Sequence, residues 1–530
     1  MARKGSRKVR TGCITCKVRR VKCDEARPAC RRCSATGRTC DGYKAPPPSE
    51  LRPIRPYVPS TFPGAESQAE RRAIQFFCEM AAPDLPGATE PFFWTHLIPQ
   101  FSSFVPAVRH ALVAVSTLYE DASRTRGEIS LLSYLRKQPL RDNGLALTHY
   151  NAAIRELVAM KDGGVVLLVC VLFVCVELLQ CNCEAALRHS THGSALLSSP
   201  EAREYGWVKQ WVTPLFRRLN TLQYFFGGDR SALPDLSATS TVETPAQFAD
   251  LNEAEAMIDD VFNQVFRLVR QGDAYRVGRQ RGTTPPAELV DEQRRIGKRL
   301  DAWYTMFMNL EGRLKDAVRG TQRIFALARY RISRVWSAMA FDPSEMAYDR
   351  HQDEFRLMVE EVSQLAGPRG RSRGRNSFEF EMGFIAPISF AVMKCRCLRI
   401  RIEALRCLRL LAAPREALWR RDSMFVVCKR VVELEHGTTL DSDGRLSLDE
   451  EPVCPGLPPV ERRVAHFVAE FLGGRQQDFL GHEVRGKKVV FVMNDADGGI
   501  HLVPDELDEE PVPLPSWSPT YAHDSILATP

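Results

Sequence analysis

Cys13-Ile-Thr-Cys16-Lys-Val-Arg-Arg-Val-Lys-Cys23-Asp-Glu-Ala-Arg-Pro-Ala-Cys30-Arg-Arg-Cys33-Ser-Ala-Thr-Gly-Arg-Thr-Cys40 contains two copies of C-x2-C-x6-C, offset by 17 residues. Six of the 16 cysteines fall within these 28 residues and no histidine interrupts them, which excludes a Cys2His2 site. Zinc takes four thiolates in tetrahedral geometry. One zinc ion strands two of the six cysteines, and two separate sites need about eight. Six thiolates satisfy two zinc ions only if two of them bridge both metals, and the repeat points to an equivalent pair, one from each half. The competing reading is six cysteines that fill a core or form three disulfides. A segment this basic has no core to fill, and an intracellular chain disfavours disulfides.

The charge is concentrated around the same stretch. Residues 1–45 hold 14 Lys/Arg and three acids, for +11, whereas residues 46–530 hold the other 58 Lys/Arg and 62 acids, for −4. Six thiolates against two Zn²⁺ leave about −2 on the cluster, so the metallated head keeps about +9. Residues 495–530 hold eight acids and no Lys or Arg. A basic head, a near-neutral body and an acidic tail are the layout of a nucleic-acid-binding regulator. Met1 to Arg10 carries five basic residues with no apolar stretch after it, and the longest apolar run, Val165–Val176, has 12 residues. A membrane span needs ~20, so the expectation is a soluble intracellular chain with no membrane partner. At 530 residues, 44% hydrophobic and 26% charged, the chain is globular in composition and has room for about three domains, or one large domain with small ones attached.

Arg10-Thr-Gly-Cys13 through Cys40-Asp-Gly-Tyr43, with the basic run Lys17-Val-Arg-Arg-Val-Lys22 and the loop proline Pro28, resembles the fungal-type Zn2Cys6 binuclear cluster of a large class of transcription factors. The resemblance implies two zinc ions held by Cys13, Cys16, Cys23, Cys30, Cys33 and Cys40, with Cys13 and Cys30 as the bridges. It also implies that the third and fourth residues after the second cysteine, Arg19 and Arg20, contact bases in a CGG-like triplet. Many members carry lysine at the second of these positions. Arg20 departs from that, and its planar fork bears on which triplet is preferred.

The residues themselves support a DNA-reading surface. Cys13-x2-Cys16 fits one helical turn, too short to be stable without the metal. Arginine bonds guanine O6 and N7 bidentately in the major groove. Lys17, Lys22, Arg31 and Arg32 are assigned to phosphates, which fix register without reading sequence. Arg3, Lys4, Arg7, Lys8 and Arg10 form a basic arm suited to further phosphates or to nuclear import.

Beyond the cluster, residues 46–63 contain seven prolines, an extended, semi-rigid linker with no heptads for a coiled coil. Ser67-Gln-Ala-Glu70 is a capping box ahead of an apolar helix, Ala73 to Met80. Helical spacing recurs at Val108, Ala111, Leu112, Val115 and Leu118; at Ala328, Ile332, Val335, Trp336 and Met339; and at Ala391, Cys395, Leu398, Ile402 and Leu405, a seam flanked by Arg396, Arg399, Arg401 and Arg406. Val165–Val176 is strand-like in propensity, but its length and the following Glu177-Leu-Leu favour a buried helix. The expected fold is therefore mostly α: a cluster module (1–45), a Pro-rich linker (46–66), a helical body (67–475) that resembles the regulatory domain common behind such clusters, and a hairpin with an acidic tail (476–530). The hairpin is expected from the strand Lys488–Met493, the turn residues Asn494 to Gly499 and a return over Ile500–Val503. Pro368 to Arg375 reads as a basic surface loop, and the acidic tail with Leu507, Leu514 and Trp517 as a segment that recruits transcription machinery.

Enzyme motifs are absent or incomplete. Gly481-x4-Gly486-Lys487 has P-loop spacing, but Lys488 replaces the Mg²⁺-binding hydroxyl. Asp495-x-Asp497 with Glu506 has EF-hand ends, but Gly499 and Ile500 replace an oxygen ligand and the essential turn glycine. Cys181 with Cys183, Cys395 with Cys397, and His189 with His192 lack a second ligand pair. The expectation is a nuclear, non-enzymatic, sequence-specific transcription regulator that binds double-stranded DNA, dimerises through its helical body and controls a gene set such as a secondary-metabolite biosynthetic cluster. The alternatives are a regulator or repressor of catabolic or nutrient genes and a zinc-dependent protein-interaction module.

Overall fold

The computed structural model describes residues 11–43, 62–124, 143–199, 205–226, 245–276, 280–313, 320–366, 377–446, 451–470, 487–494 and 500–507. The basic arm, most of the proline linker, the 368–375 loop and the acidic tail from 508 lie outside the described residues. The chain divides into two compact units, Met1–Thr61 and Phe62–Pro530.

The first unit has two short helices, Ile14–Val18 and Arg31–Ser34, and its buried interior is cysteine: Cys13, Cys16, Cys30 and Cys33.

Up to His436 the second unit is helical, as the periodicity predicts, apart from the two-residue paired strands Arg415–Glu416 and Trp419–Arg420. Ser67 opens its first helix, Gln68–Phe76, with both halves of the capping box formed. Val165–Val176 lies in the helix Gly163–Leu179, whose first turn is capped by Asp162. This helix is buried on nearly every side, so the alternation that would separate strand from helix is absent. It packs between Pro106–Arg124 and Cys183–Leu197. Cys183–Leu197 in turn approaches Thr213–Phe226 closely because Gly193 leaves room for Phe216; a Cβ there would lie 2.2 Å from the ring. A second core gathers around Leu251–Arg276, Ala287–Arg313 and Gly320–Ala338, with Trp303 fully buried in it. A third joins Gly320–Ala338 to Gln352–Ser363, Ile385–Lys394, Leu398–Leu411 and Arg421–His436.

Two features differ from expectation. The seam through Ala391 and Leu405 is not one helix: it breaks at Cys395-Arg396-Cys397 into Ile385–Lys394 and Leu398–Leu411. Arg396 and Arg401, expected to flank the seam, turn inward and are fully buried. Two carboxylates draw them in: Glu435, also fully buried, lies 2.6 Å from Arg401 and 3.4 Å from Arg396, and Glu345 lies 2.8 Å from Arg396. Burial opposes ionisation of Glu435, but the two guanidinium groups outweigh it and hold the carboxyl below the usual carboxylate range.

The second difference is at the C-terminal end. The expected hairpin forms the central and one edge strand of a three-stranded antiparallel sheet, Val464–Glu470, Lys487–Asn494 and Ile500–Leu507 in that order. Its return strand runs on past Val503, so Asp505, Glu506 and Leu507, expected in the acidic tail, lie in the sheet, where Arg430 pairs with Asp505 at 2.6 Å. The first strand falls where helix was expected. Val489, Phe491 and Met493 alternate onto one face and pack on Val427 and Val431 of Arg421–His436. The ion network also holds the sheet. Glu435 accepts from the Val464 amide at 2.7 Å, Lys394 donates to the Ala465 carbonyl at 2.7 Å, and Arg396 donates to the Val464 carbonyl at 3.1 Å.

Candidate metal centre and nucleic-acid interface

Cys13 and Cys30 each precede a short helix as its N-cap, and each sulfur accepts from the amide three residues on, at 3.3 Å from Cys16 and 3.3 Å from Cys33. The amides of Cys13 and Cys30 point to the Cys23 and Cys40 sulfurs, both at 3.5 Å. The 17-residue offset in sequence is thus an approximate twofold repeat in space. The six sulfurs form two tetrads, Cys13–Cys16–Cys23–Cys30 and Cys13–Cys30–Cys33–Cys40, each within 4.8 Å. The tetrads share Cys13 and Cys30, the arrangement that coordination counting requires of bridging ligands.

The geometry fits zinc. At a Zn–S distance of about 2.3 Å a tetrahedral site has S···S edges of about 3.8 Å. Cys13–Cys30 and Cys16–Cys30 are both 3.6 Å, and Cys13–Cys33 is 3.9 Å. Burial pushes the Cys13 thiol up to about 12 and raises Cys16 and Cys30 as well, so thiolates at the centre of the cluster require a cation in place of the protons. Cys23 differs: burial opposes its ionisation, but the Cys13 and Glu25 amides and the Tyr43 hydroxyl lower it to about 7.

Three further contacts close the unit. Thr15 donates to Asp41 at 2.7 Å, the Tyr43 hydroxyl donates to the Ala26 carbonyl at 2.8 Å, and Asp24 accepts from the Arg31 amide at 3.1 Å.

The basic run emerges from the end of the first helix. Lys17, Arg20, Lys22, Arg31 and Arg32 are exposed, and their side chains make no hydrogen bond or ion pair among the described residues. Arg19 is half-buried, and its Nη1 donates to the Thr36 hydroxyl at 3.2 Å, which leaves the other donors of its guanidinium available. Arg20 has φ +55°, and its counterpart across the repeat, Gly37, has φ +64°. The left-handed conformation costs an L-residue about 1–2 kcal/mol that glycine avoids. The Arg20 side chain therefore sits where local backbone energetics favour no side chain at all.

Residues 11–49 match the fungal Zn(2)-Cys(6) binuclear cluster domain, which takes two zinc ions. The chain is 28% identical over 410 residues to the aspercryptin biosynthesis cluster-specific transcription regulator atnN of Emericella nidulans, covering 67% of this chain and 64% of that protein. It is 28% identical over 214 residues to the transcription regulator lscL of Purpureocillium lilacinum, covering 36% and 49%. It is 35% identical over 123 residues to the Zn(2)-C6 fungal-type transcription factor afumD of Aspergillus fumigatus, covering 21% and 33%. The alignments thus span less than two thirds of each of these relatives. No solved structure matches the chain. The domain match falls on the cysteines whose sulfurs form the paired tetrads, and the likeness to the fungal Zn(2)-Cys(6) binuclear cluster domain is shown for residues 11–49.

Proposed function

We propose that the chain is a nuclear, non-enzymatic, sequence-specific DNA-binding transcription regulator whose cluster reads a CGG-like triplet. The observation that carries this is the set of five exposed cationic side chains without partners among the described residues, held on a unit whose shared-thiolate tetrads suit two zinc ions. Cys13, Cys16, Cys23, Cys30, Cys33 and Cys40 are the proposed ligands. Arg20, with the remaining donors of Arg19, is proposed to read guanine, and Lys17, Lys22, Arg31 and Arg32 to hold phosphates. A biosynthetic gene cluster is the proposed target. The support is the name of the Emericella nidulans relative, a cluster-specific regulator of aspercryptin biosynthesis. The acidic tail is proposed to contact transcription machinery.

Titration of the full zinc-loaded chain with triplet-containing and scrambled duplexes at several salt concentrations tests the assignment. Arg20→Ala is expected to lose about 1–3 kcal/mol of discrimination at one guanine. Lys22→Ala is expected to weaken all duplexes equally and to reduce the salt slope by about 0.9. Uniform loss of affinity in both variants would contradict the division between base and phosphate contacts.

A three-base code is too short to select among ~10⁶–10⁹ competing genomic sites. The helical body, residues 67–475, is therefore proposed to dimerise and tether two clusters, which raises affinity through effective concentration. Sedimentation of the full chain on a two-triplet duplex should show two copies bound cooperatively; independent monomers would exclude this assembly.

A further inference from the structure

Val18 is the last residue of the Ile14–Val18 helix and is 78% exposed. Cys16 lies on the metal side of that helix and is buried. At about 100° per residue, Val18 sits about 200° from Cys16, on the side facing away from the metal. The flank carrying Thr15 is covered, because Thr15 is bonded to Asp41. The other flank carries Lys17, and the chain runs on directly into Arg19 and Arg20. A single exposed valine ordinarily needs no explanation. This one stands on the outer crest of a helix, between the exposed Lys17 and Arg20 in the chain. Among base edges in the major groove, the thymine C5-methyl is the apolar group.

We propose that Val18 packs against the 5-methyl of a thymine flanking the guanines contacted by Arg20, and so extends the recognised sequence by one base pair. The proposal rests on the DNA-reading function above. Its occupant follows from the cations: polyanionic duplex is the partner whose charge complements Lys17, Arg19, Arg20 and Lys22, and its major groove offers an apolar methyl at thymine.

The test uses the full zinc-loaded chain and a duplex library with random positions on both sides of the triplet. A thymine should be enriched at one flanking position. Replacing that thymine by uracil, which removes only the methyl, should lower affinity about fourfold. Val18→Ala should retain two zinc ions and guanine selection, yet bind the thymine and uracil duplexes equally. Triplet-selective binding without a thymine-to-uracil effect, or with an effect that persists in Val18→Ala, overturns the assignment of Val18 and leaves the DNA-reading function standing. Absence of any sequence-selective binding overturns both.

Discussion

Cys30→Ala should abolish the binuclear cluster, whereas Cys40→Ala should cost one metal site. Cys30 belongs to both tetrads and Cys40 to one, so loss of the Cys30 sulfur leaves both ions three-coordinate. Little else holds residues 11–43 together, since the buried interior of this unit is the cysteines themselves. Structural zinc typically supplies about 10–16 kcal/mol, and in such units this is the folding free energy. Elemental analysis of the purified chain should give two zinc ions per wild-type molecule and close to none for Cys30→Ala, with duplex binding lost in parallel. Exhaustive chelation of the wild type should have the same effect. Equal zinc loss in Cys30→Ala and Cys40→Ala would show that the two sulfurs are equivalent and that Cys30 is not shared.

The second large effect is expected far from the metal. Glu435→Ala should destabilise the helical body by about 3–5 kcal/mol, the cost of leaving the buried Arg401 guanidinium without its carboxylate while Arg396 keeps Glu345. Arg396 and Arg401 would both lose their shared carboxylate, and the Val464 amide would lose its acceptor. The loss should appear as a lower denaturant midpoint and as faster hydrogen exchange at Val464 and along Val464–Glu470. Replacing Glu435, Arg396 and Arg401 together with apolar residues of similar volume should be much milder, because no buried charge is then stranded. A Glu435→Ala loss below about 1 kcal/mol would place this network in the class of weak surface pairs.

The difference between these two regions explains what could be read in advance. Metal coordination dictates ligand type and spacing, so Cys13 through Cys40 announce their chemistry without any knowledge of the fold. Helical seams such as Val108 to Val115 are legible for a similar local reason, since burial of one face repeats every three or four residues. Arg396 and Arg401 were opaque because an arginine beside an apolar seam normally marks the solvent side; the carboxylates that draw them inward, Glu435 and Glu345, lie on other elements. The strand Val464–Glu470 was missed because its partner begins at Lys487, beyond the reach of a local pattern. Within the cluster, charge alone could not distinguish Arg19, bonded to Thr36, from Arg20, whose guanidinium is free among the described residues. That distinction depends on how the second half folds back against the first.

The twofold repeat of the cluster backbone is not matched by its side chains. Lys17, Arg20 and Lys22 correspond across the 17-residue offset to Ser34, Gly37 and Thr39. A unit charged alike in both halves would present the same grip to either strand and would read a palindrome unaided. This one has a head and a tail. On a duplex it behaves as an arrow, and two arrows can point toward each other, apart, or in file. The cluster carries no instruction as to which, so the grammar of a paired site must be set by whatever joins the two chains, while the cluster supplies only the word.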